Sequence, residues 1–253
     1  MDDPLFNCVE TFQGEDPWGH CLDAGTGWTS LDWMLGIKTE SVTAVTADPE
    51  WARMLPEEYA DRLRPQDRVI HGNWANRELL QGQMYDTVLA DYLLGTVERW
   101  APYFQAYLFE RLKEITRSRL YVIGLEPYPD YPAARAEQMV NEIVRFRDAC
   151  ITLGGDRPQR EFPLYWVIKH LEAAGFEVEY RIFPIVYQER FVEEELDVAR
   201  AALRKVSSPL REALEAREVR IRARALDVLA ELEGLRCSHD YVVHARRKDP
   251  PAG

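Results

Sequence analysis

The chain has 253 residues, 46% of them hydrophobic and 29% charged, enough for one large α/β domain and too apolar for wholesale disorder. Its 43 acidic against 31 basic residues leave a net charge of −12, which repels phosphate backbones and anionic membranes unless basic groups cluster. The basic run Arg246-Arg247-Lys248 is too short to reverse that balance, so neither a nucleic-acid nor a membrane partner is expected. Cys8, Cys21, Cys150 and Cys237 form no C-x-x-C pair and have no zinc-site spacing with histidine, which reads as reduced, mostly buried thiols in a cytoplasmic protein. Asp2 and Asp3 stand where a secretion signal would be basic. The longest apolar runs fall short of a membrane span.

Short apolar segments alternate with helix-patterned stretches, which predicts a mostly parallel sheet with crossover helices. In chain order the strands are 20–24, Ser41–Thr46, Arg68–His71, 87–90 and 119–125. Residues 126–163 open with Pro127, Pro129 and Pro132 and turn helical through Met139, Ile143, Phe146 and Ala149. The stretch 164–174 places Trp166, Val167, Leu171 and Ala174 at helical spacing, and Gly175 marks the helix end. Phe176–Tyr187 reads as a further strand. A second insertion, 189–236, carries one stripe of Val192, Leu196, Ala199 and Leu203. Ser208-Pro209 then caps a new helix, with Leu214, Ile221, Ala225, Val228 and Leu232 on one face. A last strand covers 241–246, and the whole reads as a single domain, 1–253, with two helical insertions.

The most informative stretch is Cys21-Leu22-Asp23-Ala24-Gly25-Thr26-Gly27-Trp28-Thr29-Ser30, a strand, a glycine turn and a helix start. Gly25 and Gly27 let the backbone turn sharply and approach a ligand, and the helix start offers free N–H groups to an anion. Two glycines also serve many tight turns that hold nothing. Asp23 adds information: a carboxylate would repel a dinucleotide's pyrophosphate and suits a ligand bearing an ammonium group. Ser30 stands where the dinucleotide fingerprint has its third glycine. The pattern favours an amino-acid-bearing nucleoside over NAD.

These residues resemble the class I S-adenosylmethionine-dependent methyltransferases, in which a D-x-G-x-G element ends the first strand. The likeness runs in motif order from about His20 to Leu125, and more loosely through Gly175 and the last strand pair. It implies a Rossmann-like, seven-stranded, mostly parallel sheet with a reversed last strand. S-adenosylmethionine would be the cofactor and S-adenosylhomocysteine the product, with Gly25, Thr26 and Gly27 around the methionine part and Asp23 near its amino group. The family's acidic residue closing the second strand is Thr46 here, with Asp48 two residues on. Asp48 before Pro49-Glu50 is open to two roles, ribose contact and helix cap. In Gly72-Asn73-Trp74, Asn73 replaces the family's adenine-binding aspartate and can still accept through its carbonyl oxygen. Trp74 is open to stacking on adenine or filling the core.

Asp91 and Tyr92 end the fourth strand, where the family places groups beside the transferred methyl. Asp91 could take a proton from the acceptor, or cap a helix over 92–100. Metal-dependent members use several acidic ligands; Asp91 and Glu126 are available here without a third, and His20, His71, His170, His239 and His244 show no ligand spacing. A metal-independent enzyme is expected. The likeness puts both insertions on the cofactor side as a cover, near aromatics such as Trp100, Tyr103, Tyr128 and Tyr187. The implied activity is methyl transfer to a nitrogen or oxygen of a small molecule, by a monomer or homodimer. A non-catalytic scaffold or sensor is the alternative. An NAD-dependent oxidoreductase is opposed by Asp23, Ser30 and the paired terminal strands.

Overall fold

The structure, a computed structural model, describes residues 3–248; Asp2 lies outside them. Asp3 and Pro4 open helix α1 (Pro4–Gln13). The Asp3 carboxylate accepts the Leu5 N–H at 2.8 Å, and Pro4 fills a first-turn position whose own N–H would find no partner. Strand β1 (His20–Asp23), helix α2 (Trp28–Met34), strand β2 (Ser41–Thr46) and helix α3 (Pro49–Glu58) follow. Then come β3 (Arg68–His71), β4 (Tyr85–Asp91), α4 (Leu93–Trp100), α5 (Gln105–Lys113) and β5 (Thr116–Leu125). Helices α6 (Arg135–Leu153) and α7 (Leu164–Ala173) precede β6 (Phe176–Tyr187); α8 (Glu189–Leu203) and α9 (Ser208–Leu232) precede β7 (Leu235–Arg247). No helix of the described residues is long and apolar enough to cross a membrane.

The strands form one sheet in the order β3-β2-β1-β4-β5-β7-β6. Neighbours from β3 to β5 run parallel, and β7 lies antiparallel to β5. This is the mostly parallel, seven-stranded sheet with a reversed last strand that the sequence resemblance implies. The strand order turns back at β1, which has β2 on one side and β4 on the other. In open α/β sheets the crevice outside the carboxyl ends at such a switch point is where ligands sit.

Alternation along the strands divides the core into two faces. Cys21, Val42, Ala44, Leu89, Tyr121, Ile123 and Val242 pack with Leu5, Phe6 and Val9 of α1, with Leu31 and Met34 of α2 and with Leu55 of α3. Leu22, Val45, Val88, Ala90, Leu120, Val122 and Val243 pack with Leu93, Leu94 and Val97 of α4, Leu108 and Leu112 of α5, and Val167 and Leu171 of α7. Both faces are covered, which explains why the central strands read as continuous apolar runs.

The chain divides into two compact units. One holds the residues up to Leu125, Arg160–Phe183 and those from Asp240 on; the other holds Glu126–Gln159 and Pro184–His239. The second unit has its own core, in which Val140, Ile143 and Cys150 of α6 meet Val192, Leu196, Ala199 and Leu203 of α8 and Ile221, Ala225 and Val228 of α9. The expected stripe of α9 ends early, since Leu232 is 43% exposed. Glu218 takes a buried place on the same helix, and it is tolerated because Arg200 and Arg222 each donate to its carboxylate at 3.1 Å. The cap of α9 is Ser207 and not Ser208; the Ser208 hydroxyl bonds forward to Glu212 instead. β7 begins at Leu235, six residues before the expected 241, on the far side of Ser238, whose φ of 60° interrupts the regular alternation.

Candidate functional site

Strand register decides which polar residues share a face. Asp23 continues the row of Cys21, Asp91 that of Leu89, Asp240 that of Val242 and Thr46 that of Ala44. All four therefore lie on the side of the sheet covered by α1, α2 and α3. Asp23, Thr46 and Asp91 are at the carboxyl ends of parallel strands, and Asp240 faces Leu125 at the end of β5.

Asp23 is fully buried. Its Oδ2 accepts from the Ser30 hydroxyl at 2.7 Å, and the Ser30 oxygen in turn accepts the Gly27 N–H at 3.0 Å. Ser30 thus ties the glycine turn to the strand end, which gives a physical reason for serine where the dinucleotide fingerprint has glycine. Asp23 Oδ1 and Thr26 Oγ1 are buried with no hydrogen-bond partner. Burial pushes the Asp23 carboxyl up to about 6, even though the Ser30 and Thr26 hydroxyls and the Gly25 N–H beside it all oppose the shift; the Thr26 contact falls short of a well-formed hydrogen bond. A buried acceptor left unpaired costs about 1–3 kcal/mol, and such a group at a switch point suits a ligand that brings a donor, an ammonium above all. The turn itself is tightly wrapped: a Cβ on Gly25 would stand 2.8 Å from Leu93 Cδ1, and one on Gly27 would stand 3.1 Å from the Trp51 ring.

Asp91 does not cap α4. The cap position is Tyr92, in the left-handed region at φ 44°, and no side chain closes the helix start. A non-glycine residue held there stores on the order of 1 kcal/mol or more of strain, which occurs most at functional positions. The Asp91 side chain is deeply set yet keeps some accessible surface. Burial, followed by the charges of Asp23, Asp3 and Asp240, pushes its carboxyl up to about 7. The Tyr92 hydroxyl donates to Asp240 Oδ1 at 2.7 Å, and burial beside that carboxylate drives the phenol well above its ordinary range. Three carboxylates, one from the start of α1 and two from strands β1 and β7, thus bear on Asp91 at this end of the sheet.

The ends of β2 and β3 are different. Thr46 Oγ1 accepts the Asp48 N–H at 3.2 Å, and Asp48 Oδ1 accepts from Glu50 at 2.8 Å and Trp51 at 3.4 Å. Asp48 is the cap of α3. Gly72 donates its N–H to Thr46 O at 2.9 Å, and a Cβ there would meet Leu79 at 2.5 Å. Asn73 donates to Trp100 O at 2.7 Å and accepts the Ala75 N–H at 2.9 Å, so both ends of its amide are bonded to the backbone. Trp74 is 5% exposed and donates to Ala24 O at 2.6 Å, bracing the glycine turn from the α4 and α5 side. The structure therefore brings Asp23, Gly25, Thr26, Gly27, Asp91 and Tyr92 together around β1 and β4, and leaves Asp48, Asn73 and Trp74 bonded within the protein.

Three residues at this site were not singled out from the sequence. Asp3 is followed by proline, a legible cap, but nothing local shows that its helix starts beside Asp91. Asp240 lies inside β7, one residue before the strand start expected from the sequence, and carries no motif. Trp51 lies against Gly27, and its ring centroid is 6.3 Å from that of Trp28; no motif marks it in the sequence. Among the described residues no three histidine, cysteine, aspartate or glutamate side chains are grouped to hold a metal ion. Glu126 lies 3.9 Å from His239, and His244 stacks on Tyr121 with centroids 5.0 Å apart.

No protein-family model matches the chain, and no curated protein matches it. Solved structures do. The mycolic acid cyclopropane synthase CmaA1 complexed with S-adenosylhomocysteine and CTAB aligns at a TM-score of 0.56 and 18% identity, over 96% of this chain and 84% of that one. An S-adenosylmethionine-dependent methyltransferase from Methanosarcina mazei aligns at 0.54 and 11%, over 95% and 96%. The cyclase SpnF aligns at 0.56 and 14%, over 98% and 80%. At such identities the likeness is one of fold, and it agrees with the strand order above: the chain has the fold of the class I S-adenosylmethionine-dependent methyltransferases.

Proposed function

We propose that the protein transfers a methyl group from S-adenosylmethionine to a nitrogen or oxygen of a small molecule, with acceptors that arrive as cations preferred. One observation carries this reading: the charges of Asp23, Asp3 and Asp240 all bear on Asp91 at the switch point, and Asp23 keeps a buried oxygen with no partner. Like-charged carboxylates held together in a partly dry site raise one another's proton affinity until a cation relieves them. S-adenosylmethionine carries an ammonium and a sulfonium against a single carboxylate, and it supplies the electrophilic methyl. Asp23 Oδ1 and Thr26 Oγ1 would receive the ammonium, with Gly25 and Gly27 giving the backbone its close approach. The aromatic pair Trp28 and Trp51 beside Gly27 would face the nucleoside part.

Asp91 is the residue for the proton. Near neutral pH its carboxyl is poised between its two forms, so it can take a proton from an acceptor ammonium or hydroxyl and free the lone pair that attacks. The proton moves from the acceptor to an Asp91 oxygen. Tyr92 and Asp240, joined by their hydrogen bond, fix the wall beside it, and the remaining carboxylate charge favours an amine over a neutral alcohol. A small molecule is supported over a nucleic acid or a membrane by the net charge of −12. Four free thiols support a cytoplasmic setting, and the site chemistry needs no metal.

A second reading, a cofactor-binding scaffold or sensor without turnover, is favoured by the ends of β2 and β3, where Asp48 and Asn73 are already bonded. Calorimetry with S-adenosylmethionine, S-adenosylhomocysteine and NAD separates these ideas, followed by a labelled-methyl screen over amines and alcohols. Binding of the two adenosyl ligands with methyl transfer to an amine is the expected result. Binding without transfer to any acceptor selects the sensor, and binding of NAD alone sinks both.

A further inference from the structure

The geometry points to an interaction surface at the edge of the sheet: the free edge of β6 pairs antiparallel with β6 of a second copy of this chain, centred on Tyr180. β6 ends the sheet, so one side of its backbone presents N–H and C=O groups with no strand of the described residues beside them, a template for strand addition. Natural edges are blunted by bulges, proline or cover. Here Glu179, Tyr180, Arg181 and Ile182 are four consecutive exposed residues, with proline only at Pro184, and the Arg181 guanidinium donates to Tyr180 O at 2.9 Å. Tyr180 is 47% and Ile182 52% exposed, large apolar surface on a short stretch.

Side-chain alternation fixes what each face offers. Phe176 and Val178 pack on the α4, α5 and α7 side, so Tyr180 and Ile182 continue that row beyond its cover. Phe183 packs on the opposite side, and Arg181 lies over the Phe12 ring of α1 at 5.4 Å. Glu177 and Glu179 share that second row, each within 4 Å of Arg246 at 3.8 and 3.7 Å.

The register of a symmetric pair then follows from parity and charge. Residues directly opposite in an antiparallel pair lie on the same face, so the two-fold axis must pass through a residue facing its own copy. Centred on Glu179, two glutamates would face each other; centred on Arg181, two arginines would. Centred on Tyr180, Glu179 faces Arg181 of the second copy twice over. Tyr180 then faces Tyr180, and Val178 faces Ile182 twice. Centred on Ile182, Arg181 would face Phe183 and Glu179 would face Ile185, leaving both charges unmatched; the Tyr180 register alone of the four sets each of these charges against its opposite and matches the apolar row to itself. A closed, two-fold pairing also uses up the edge, so it stops at a dimer.

Sedimentation velocity across about 1–100 µM tests the idea, with circular dichroism as a check of folding. Glu179→Arg places arginine opposite Arg181, and Arg181→Glu places glutamate opposite Glu179. Each alone should weaken the dimer at least about tenfold, since both symmetric pairs change from attraction to repulsion. Mixing the two variants should restore it, because each chain then meets opposite charges; a variant that failed to fold could not be rescued in this way. Tyr180→Lys should also give monomers, mixed or not. A native chain that stays monomeric at the highest concentration, or a dimer that neither charge variant weakens, overturns the proposal. Neither outcome depends on the enzymatic reading.

Discussion

The carboxyl ends of β1 and β4 and those of β2 and β3 carry similar polar side chains and use them in opposite ways. At β1 and β4, Asp23 has an oxygen with no partner, Asp91 has its carboxyl pushed up to about 7, and Tyr92 is held at φ 44°. At β2 and β3, Asp48 caps α3 and Asn73 bonds Trp100 and Ala75. The first pair of strand ends is left unsatisfied, and the second is complete without a ligand. A protein tolerates buried unpaired groups where a ligand meets them. Under the proposed function, the contacts that decide ligand affinity would then sit at the cationic end of the cofactor, and the residues at the ends of β2 and β3 would mainly hold the fold.

The sharpest way to break this contrast is Gly25→Val. Its Cβ would press on Leu93, 2.8 Å away, and its branches would fill the approach to Asp23. Saturation with S-adenosylhomocysteine at about 100 times its Kd should stabilise the native protein by about 2.7 kcal/mol; the variant should lose this shift entirely while retaining a cooperative thermal transition. Next in size is Asp91→Asn, which leaves the site's shape but removes the base. Turnover should fall by about 10²–10⁴ with S-adenosylhomocysteine binding retained, and an unchanged rate would remove Asp91 from the chemistry.

The pH dependence comes third. Asp23 and Asp91 have folded values of about 6 and about 7 against an ordinary 3.8. The folded state therefore binds protons more tightly than the unfolded chain, and the stability of the ligand-free protein should fall as pH rises from about 4 to about 7 and level off above. Asp91→Asn should raise the ligand-free midpoint at pH 8 and leave it nearly unchanged at pH 3. Affinity for S-adenosylmethionine should move the other way, rising with pH through the same window as the carboxylates become available. A flat stability profile in the native protein would show that these groups are not strained.

The complementary tests lie at β2 and β3 and should be smaller. Asn73→Ala removes a donor to Trp100 O and an acceptor for Ala75, so stability should drop by about 1–2 kcal/mol, with less loss of S-adenosylhomocysteine affinity than Asp23→Asn causes. Asp48→Ala should cost about 1 kcal/mol as a lost helix cap and change affinity least of all. An affinity loss at Asp48 larger than that at Asp23 would invert the contrast.

What could be read from the sequence is what neighbours along the chain decide. Alternation and apolar runs gave Ser41–Thr46, Arg68–His71 and Phe176–Tyr187 with the bounds observed, because a strand's period is set by its own residues. The glycine turn after Asp23 and the cap at Asp48 are likewise local, since each bonds within a few residues. Helix α1 was legible in Asp3-Pro4 and its apolar spacing, yet an acidic start drew attention to secretion and away from structure.

The tertiary structure alone decided which legible groups would be left without partners. Asn73 looked free to read a base until Trp100, 27 residues on, took its amide. Trp74 was divided between stacking and core until its indole found Ala24 O, 50 residues away. Asp91 was divided between base and helix cap until the fold left α4 uncapped by it and buried its carboxyl among the charges of Asp23, Asp3 and Asp240, and Tyr92 meets Asp240 across 148 residues. Hydrogen bonding and charge act over a few ångströms of space whatever the separation along the chain. Composition and pattern therefore name the groups that can bond, and the packing of distant strands determines whether they bond to the protein or remain for a ligand.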